Sequence, residues 1–110
     1  MEDTFDSVFK ALANPVRRSI LDALRGSPRT TGDLVEGFPT LSRFAVMKHL
    51  DVLVDSSLVT VTRQGRQRFN HLNPAPIRLL YERWMTPFSE LWAREAVRLK
   101  RHVEQETGKG

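Results

Sequence analysis

The hydrophobic period of this chain changes character midway, and that change limits what it can fold into. As far as Val54 the apolar residues recur at helical spacing. From there Leu58-Val59-Thr60-Val61-Thr62-Arg63 and Arg68-Phe69-Asn70-His71-Leu72 are β-branched or alternating, and they flank Gln64-Gly65-Arg66-Gln67. A period of two on either side of a glycine predicts a β-hairpin. Neither an all-helical bundle nor an all-β sandwich accommodates such a sequence.

Before the hairpin, three pieces of punctuation delimit helices. Phe5, Val8, Phe9 and Leu12 occupy one helical face, which ends at Asn14-Pro15; Asn14 is suited to cap the next helix and Pro15 to open it. Val16, Ile20 and Leu24 form a second stripe, with Arg17 and Arg18 on another face, and Gly26 and Pro28 close it. Thr30 and Thr31 offer caps to a short helix carrying Leu34 and Val35, ended by Gly37 and Pro39, with Phe38 expected to be buried. A longer helix begins near Ser42, its core side supplied by Val46, Leu50, Leu53 and Val54. Arg43, Phe44, Met47, Lys48 and Asp51 fall on the other side by the 100° turn per residue. Two helices joined by about four residues, the second with a polar outer face, read as a helix-turn-helix. With the hairpin directly after it, the expected fold is mainly α with a small β-hairpin: a winged helix-turn-helix.

After the hairpin, Asn73-Pro74-Ala75-Pro76 opens a helix with Ile77, Leu80, Tyr81 and Trp84, and Thr86-Pro87 marks a break before a final helix to about Gln105. Phe88, Leu91, Trp92, Ala96, Leu99 and Val103 run along one side of that helix. A small domain has little with which to cover this stripe and the Phe5 stripe together. A symmetric dimer built on the terminal helices, with Phe5, Phe9, Phe88, Leu91, Trp92 and Leu99 in its seam, is the economical expectation. The alternative is that the two stripes pack on each other within one chain. One domain over residues 1–106 with a frayed tail at 107–110 is expected.

Composition narrows the function. The 110 residues are 40% hydrophobic and 27% charged, which is ordinary for a globular protein. The longest apolar run is Phe44-Ala45-Val46-Met47, too short to cross a membrane, and the acidic opening Met1-Glu2-Asp3-Thr4-Phe5-Asp6 does not have the form of a secretory signal. Cysteine is absent, which excludes disulfides, thiolate metal sites and cysteine nucleophiles. A cytoplasmic location is the expectation. The net charge of +4 is uneven: ten of the seventeen cations but only five of the thirteen acids follow residue 60, and most of the cations are arginine. Arginine suits bidentate recognition of phosphate or guanine, so a polyanionic partner is implied. No serine-hydrolase elbow, metalloprotease, phosphate-loop or dinucleotide motif occurs, and no enzyme is expected.

Three segments together resemble a known family. Phe9-Lys10-Ala11-Leu12-Ala13-Asn14-Pro15-Val16-Arg17-Arg18-Ser19-Ile20-Leu21 is similar to the opening of the ArsR-type winged-helix repressors. Leu41-Ser42-Arg43-Phe44-Ala45-Val46-Met47-Lys48-His49-Leu50-Asp51-Val52-Leu53 resembles their recognition helix, and Leu58-Val59 with Arg63-Gln64-Gly65-Arg66 and Phe69 resembles their wing. The resemblance spans roughly residues 5–80. It implies a homodimeric repressor of double-stranded DNA whose helix from Ser42 enters the major groove and whose wing straddles the neighbouring backbone, with the first and last helices forming the dimer contact. The sequence departs from the family pattern at Met47, where serine or threonine is common, at Phe44 and at Asp51. The family's cysteine-rich metal motif is replaced by Thr31-Gly32-Asp33-Leu34-Val35-Glu36.

The candidate DNA-contacting residues are therefore Thr30, Thr31, Ser42, Arg43, Phe44, Met47, Lys48, Arg63, Gln64, Arg66 and Arg68. Ser42, Thr30 and Thr31 double as helix caps, and charged hairpin residues also serve to discourage edge pairing. His49 reads as a packing histidine bonded to a backbone carbonyl, and His71 carries no assigned role. Glu95, His102 and Glu106 share a helix face, but one histidine per chain among Arg94, Arg98, Lys100 and Arg101 makes a poor metal site, so neither metal nor cofactor is expected. A sequence-specific regulator at an inverted repeat is the reading these residues favour. A winged-helix module that binds a protein through Phe44 and Met47 is the alternative.

Overall fold

A computed structural model describes residues 4–85 and 89–107. The order is α1 (Thr4–Leu12), α2 (Pro15–Leu24), β1 (Arg29–Thr30), α3 (Thr31–Gly37), α4 (Arg43–Asp55), β2 (Val59–Gln64), β3 (Gln67–Leu72), α5 (Ala75–Trp84) and α6 (Ser89–Thr107). The fold is the expected one, mainly helical with a winged helix-turn-helix. The chain divides into two units, 1–77 and 78–110, with the boundary inside α5.

Local chemistry sets the helix starts. Asn14 accepts hydrogen bonds from the amides of Val16 (2.9 Å) and Arg17 (3.1 Å), so Pro15 can open α2 without leaving a donor unsatisfied. Thr30 and Asp33 form a reciprocal capping box on α3, and Ser42 accepts from the Ala45 amide at 3.1 Å to start α4. Each such cap is worth about 1 kcal/mol.

The end of α1 is closed from a distance. Arg17 donates to the carbonyls of Lys10 (2.9 Å) and Ala11 (2.7 Å), and Arg18 donates to that of Leu12 (2.6 Å). The Ala13 amide also reaches the Lys10 carbonyl, at 3.3 Å, and the two arginines complete the α1 C-cap.

Ile20, Leu21 and Leu24 of α2, Leu34 of α3, Val46, Leu50 and Leu53 of α4 and Val8 and Ala11 of α1 converge with Leu58 and Val59 to form the core. Val54 and Phe38 are only half-buried, because each lies at the edge of this cluster rather than within it. Phe9 is 44% exposed, and Ala11 takes the inward position beside Val8.

The sheet has three strands in the order β1-β3-β2, all antiparallel, where the hairpin alone was expected. β1 pairs Arg29 with Asn70 and Thr30 with Phe69; two residues are too few to show a period. β2 and β3 pair from Val59 with Leu72 to Gln64 with Gln67, leaving Gly65 and Arg66 as the turn. Gly65 has φ +61°, the glycine-first pattern of a type II′ hairpin turn.

In the second unit α6 runs to Thr107, two residues past its expected end. Val97, Leu99 and Val103 of α6 are 49%, 66% and 55% exposed. Phe88 and the side chains of Leu91, Trp92 and Glu106 lie outside the described residues, as do Thr86 and Pro87. No helix among the described residues is long and apolar enough to cross a membrane.

Candidate nucleic-acid interface

The strand register decides where the wing's cations point. Arg63 and Arg68 are directly opposite each other across β2 and β3, so their side chains leave the same face of the hairpin. Two and four residues along β3 that face carries Asn70, which is fully buried, and Leu72. The arginines therefore project on the side of the helical body. Like charges directly opposite on a ladder repel, and an anion between them would relieve that repulsion.

The result is a concave groove of about 370 Å³ lined by Thr30, Thr31, Gly32, Arg43, Met47, Arg63, Arg66, Gln67 and Arg68. Its walls come from the start of α3, the first turns of α4 and the wing. Four of its lining residues are arginines and none is acidic. Such a surface concentrates positive potential and suits a phosphate backbone.

Seven of the eleven expected residues meet in this groove. The other four lie elsewhere. Ser42 is the exposed α4 N-cap. Phe44 is 71% exposed on the outer side of α4, and Lys48 is also exposed, with its Nζ 5.2 Å from the centre of the Phe44 ring. Gln64 is exposed on the wing, where its cross-strand partner Gln67 lines the groove in its place. Asp51 is exposed farther along α4 and does not line the groove.

Asn70 is the residue that sequence reasoning missed. Its Nδ2 donates to the Arg29 carbonyl and to Thr31 Oγ1, both at 3.2 Å, and its Oδ1 accepts from Arg68 Nε at 3.2 Å. One buried amide thus joins β1, the first residue of α3 and a wing arginine. With Nε engaged, Arg68 has both terminal nitrogens available for a ligand while its orientation is held. An asparagine inside an alternating strand, on the face that also carries Leu72 and opposite Val61, was the available signal.

His49 is half-buried in α4 and bonds not to a carbonyl but to Arg17, whose Nη1 is 3.4 Å from His49 Nδ1. A guanidinium only donates, so Nδ1 accepts and the ring is neutral. Burial first, and the Arg17 charge second, hold its pKa below the ordinary histidine value. His71 bonds Thr62 Oγ1 at 2.8 Å across the hairpin. On α6, Glu95 is paired with Arg98 at 3.1 Å, and the described residues contain no group of three or more histidines and acids able to hold a metal ion.

Residues 12–62 match the family model described as a helix-turn-helix domain. The chain is 37% identical over 68 residues to the transcriptional repressor SdpR of Bacillus subtilis, covering 62% of this chain and 74% of SdpR. It is similar to the crystal structure of an ArsR family transcriptional regulator, with a TM-score of 0.70 and 32% identity over 83% of this chain and 98% of that one. It shares the fold of a homodimeric winged helix-turn-helix DNA-binding domain from Mycobacterium bovis, with a TM-score of 0.63 and 24% identity over 94% of this chain and 84% of that one. The absence of cysteine sets it apart from members with a thiolate metal site. Capped helix-turn-helix, arginine-rich wing and these likenesses agree: the chain belongs to the ArsR family of transcriptional regulators.

Proposed function

We propose that this regulator is a cytoplasmic, homodimeric repressor that binds an inverted-repeat operator in double-stranded DNA. In this reading α4 of each protomer enters the major groove, where Arg43, Phe44 and Met47 face the bases and Lys48 reaches a flanking phosphate. Arg63, Arg66, Arg68, Gln64, Thr30, Thr31 and Ser42 hold the backbone on either side. The observation that carries the proposal is the four-arginine, acid-free groove shared by α4 and the wing.

The dimer draws support from the exposed apolar residues of α6 and from Phe9 on α1. Phe5, Phe9, Phe88, Leu91, Trp92 and Leu99 are its proposed seam, and residues 1–106 act together as one DNA-binding and dimerisation domain. The M. bovis protein of the same fold is itself homodimeric. Neither catalysis nor a bound metal has a part in this function: the named relatives are regulators, there is no thiolate, and Glu95 is engaged by Arg98.

The exposure of Phe44 favours one competing reading, a module that binds a protein through this face. A mobility-shift assay on a duplex from upstream of the protein's own gene separates the two. The repressor reading predicts binding at least on the order of 10³-fold tighter than to a scrambled duplex of equal length. Equal affinity for the two duplexes contradicts it.

A further inference from the structure

The first turns of α4 present two kinds of side chain. Arg43 and Met47 line the basic groove. Phe44 and Lys48 stand on the side of the helix roughly opposite the buried Val46, Leu50 and Leu53. Phe44 is 71% exposed, and the ammonium of Lys48 sits over its ring at 5.2 Å, within cation–π range. The ring is thus steadied by a cation rather than by packing into the protein, and the rest of its surface stays open.

A single ring between Arg43 and Lys48 is a small apolar feature in a cationic setting. Lysine is depleted from protein interfaces, so a ring with the Lys48 ammonium held over it suits a protein partner poorly. It suits the major groove, where phosphates flank base edges that carry one apolar group, the C5 methyl of thymine. We infer that Phe44 is a specificity-determining residue that recognises the C5 methyl of a thymine in the operator, with Lys48 held against its ring so that the ammonium reaches a flanking phosphate. The inference rests on the proposed docking of α4 and adds to it a property of the DNA: at least one thymine per half-site whose methyl, not only its pairing, is read.

The test removes the methyl and nothing else. The duplex upstream of the protein's own gene is amplified twice, once with dTTP and once with dUTP, and the affinity of the full chain for each is measured by anisotropy. Amplified DNA carries no 5-methylcytosine, so every C5 methyl in it belongs to thymine. The wild-type protein should bind the thymine duplex about fourfold tighter for one contacted methyl, and about fifteenfold when both half-sites contribute. Phe44→Ala should bind the two duplexes equally, whereas Phe44→Leu, still apolar, should keep part of the preference. The exposure of Phe44 leaves the core intact in both variants.

Equal binding of the two duplexes by the wild type overturns the inference. So does a Phe44→Ala protein that retains the wild-type ratio, since the preference would then come from DNA shape. Binding of neither duplex above a scrambled control is a different failure: it removes the operator reading itself, and the inference with it.

Discussion

α4 and the wing form facing walls of one groove but are built on different chemistry. The helix offers a mixed surface of Arg43, Phe44, Met47, Lys48 and Asp51, while the wing repeats one residue at 63, 66 and 68. A mixed surface can tell one base edge from another, whereas a repeated cation is suited foremost to holding a polyanion. Their anchoring differs too. Val46, Leu50 and Leu53 of α4 are wholly buried, whereas the wing tip is joined to the body through strand register and through Asn70. Under the proposed docking, the difference implies a division of labour in which the helix reads and the wing clamps.

The most disruptive way to break this comparison is to separate the protomers. Leu99→Glu places two charges in the proposed seam of the dimer, and because Leu99 is 66% exposed within one chain the substitution should leave the fold intact. Sedimentation at micromolar concentration should then show monomers, with operator affinity falling on the order of 10²- to 10⁴-fold as avidity is lost. A dimer that survives the change moves the seam elsewhere.

Arg43→Ala tests the helix alone. It should cost about 1–3 kcal/mol on the operator and relax base preference at one position, as loss of a direct base contact does. Unchanged discrimination between operator and scrambled DNA would transfer the reading role away from this residue. Arg66→Ala tests the clamp. It should weaken binding to all sequences alike and flatten the dependence of log K on log salt by about one unit, without altering preference.

The smallest effect concerns how α4 is held. His49 is neutral against Arg17, with its pKa held down. The unfolded chain therefore takes up the proton first, and the stability tied to neutral His49 is present above about pH 6.5 and is lost as pH falls through the lower folded value. Thermal melts should show a smaller decrease between pH 7.5 and pH 5.5 in His49→Gln than in the wild type. An identical decrease in both would remove His49 from the acid response.

How much of this was legible in the sequence depended on distance along the chain. Asn14, Ser42 and Gly65 act on neighbours within three residues, and their roles can be read directly from the order of residues. The closing of α1 by Arg17 and Arg18 spans six or seven residues across a turn, so the pair reads only as charge. The Asn70 junction joins residues about forty positions apart and depends on β1, whose two residues leave no periodic trace. The groove followed the same rule. Its residues were recognisable as types, but only the register shows that Arg63 and Arg68 turn toward α4 rather than away from it. Phe9 shows the converse: its spacing is that of a core residue, yet Val8 and Ala11 fill that role and leave it at the surface.

The central claim, that the α4–wing groove grips a DNA backbone, is tested most directly by a salt titration of operator affinity. Contacts from Lys48, Arg63, Arg66 and Arg68 neutralise about three to four phosphates per protomer, on the order of seven in a dimer. Log K for the upstream duplex should then fall with log salt with a slope of roughly −6. Affinity that scarcely changes between low and moderate salt would contradict the account, because a wing with three arginines on a phosphate backbone cannot be indifferent to the ions it displaces.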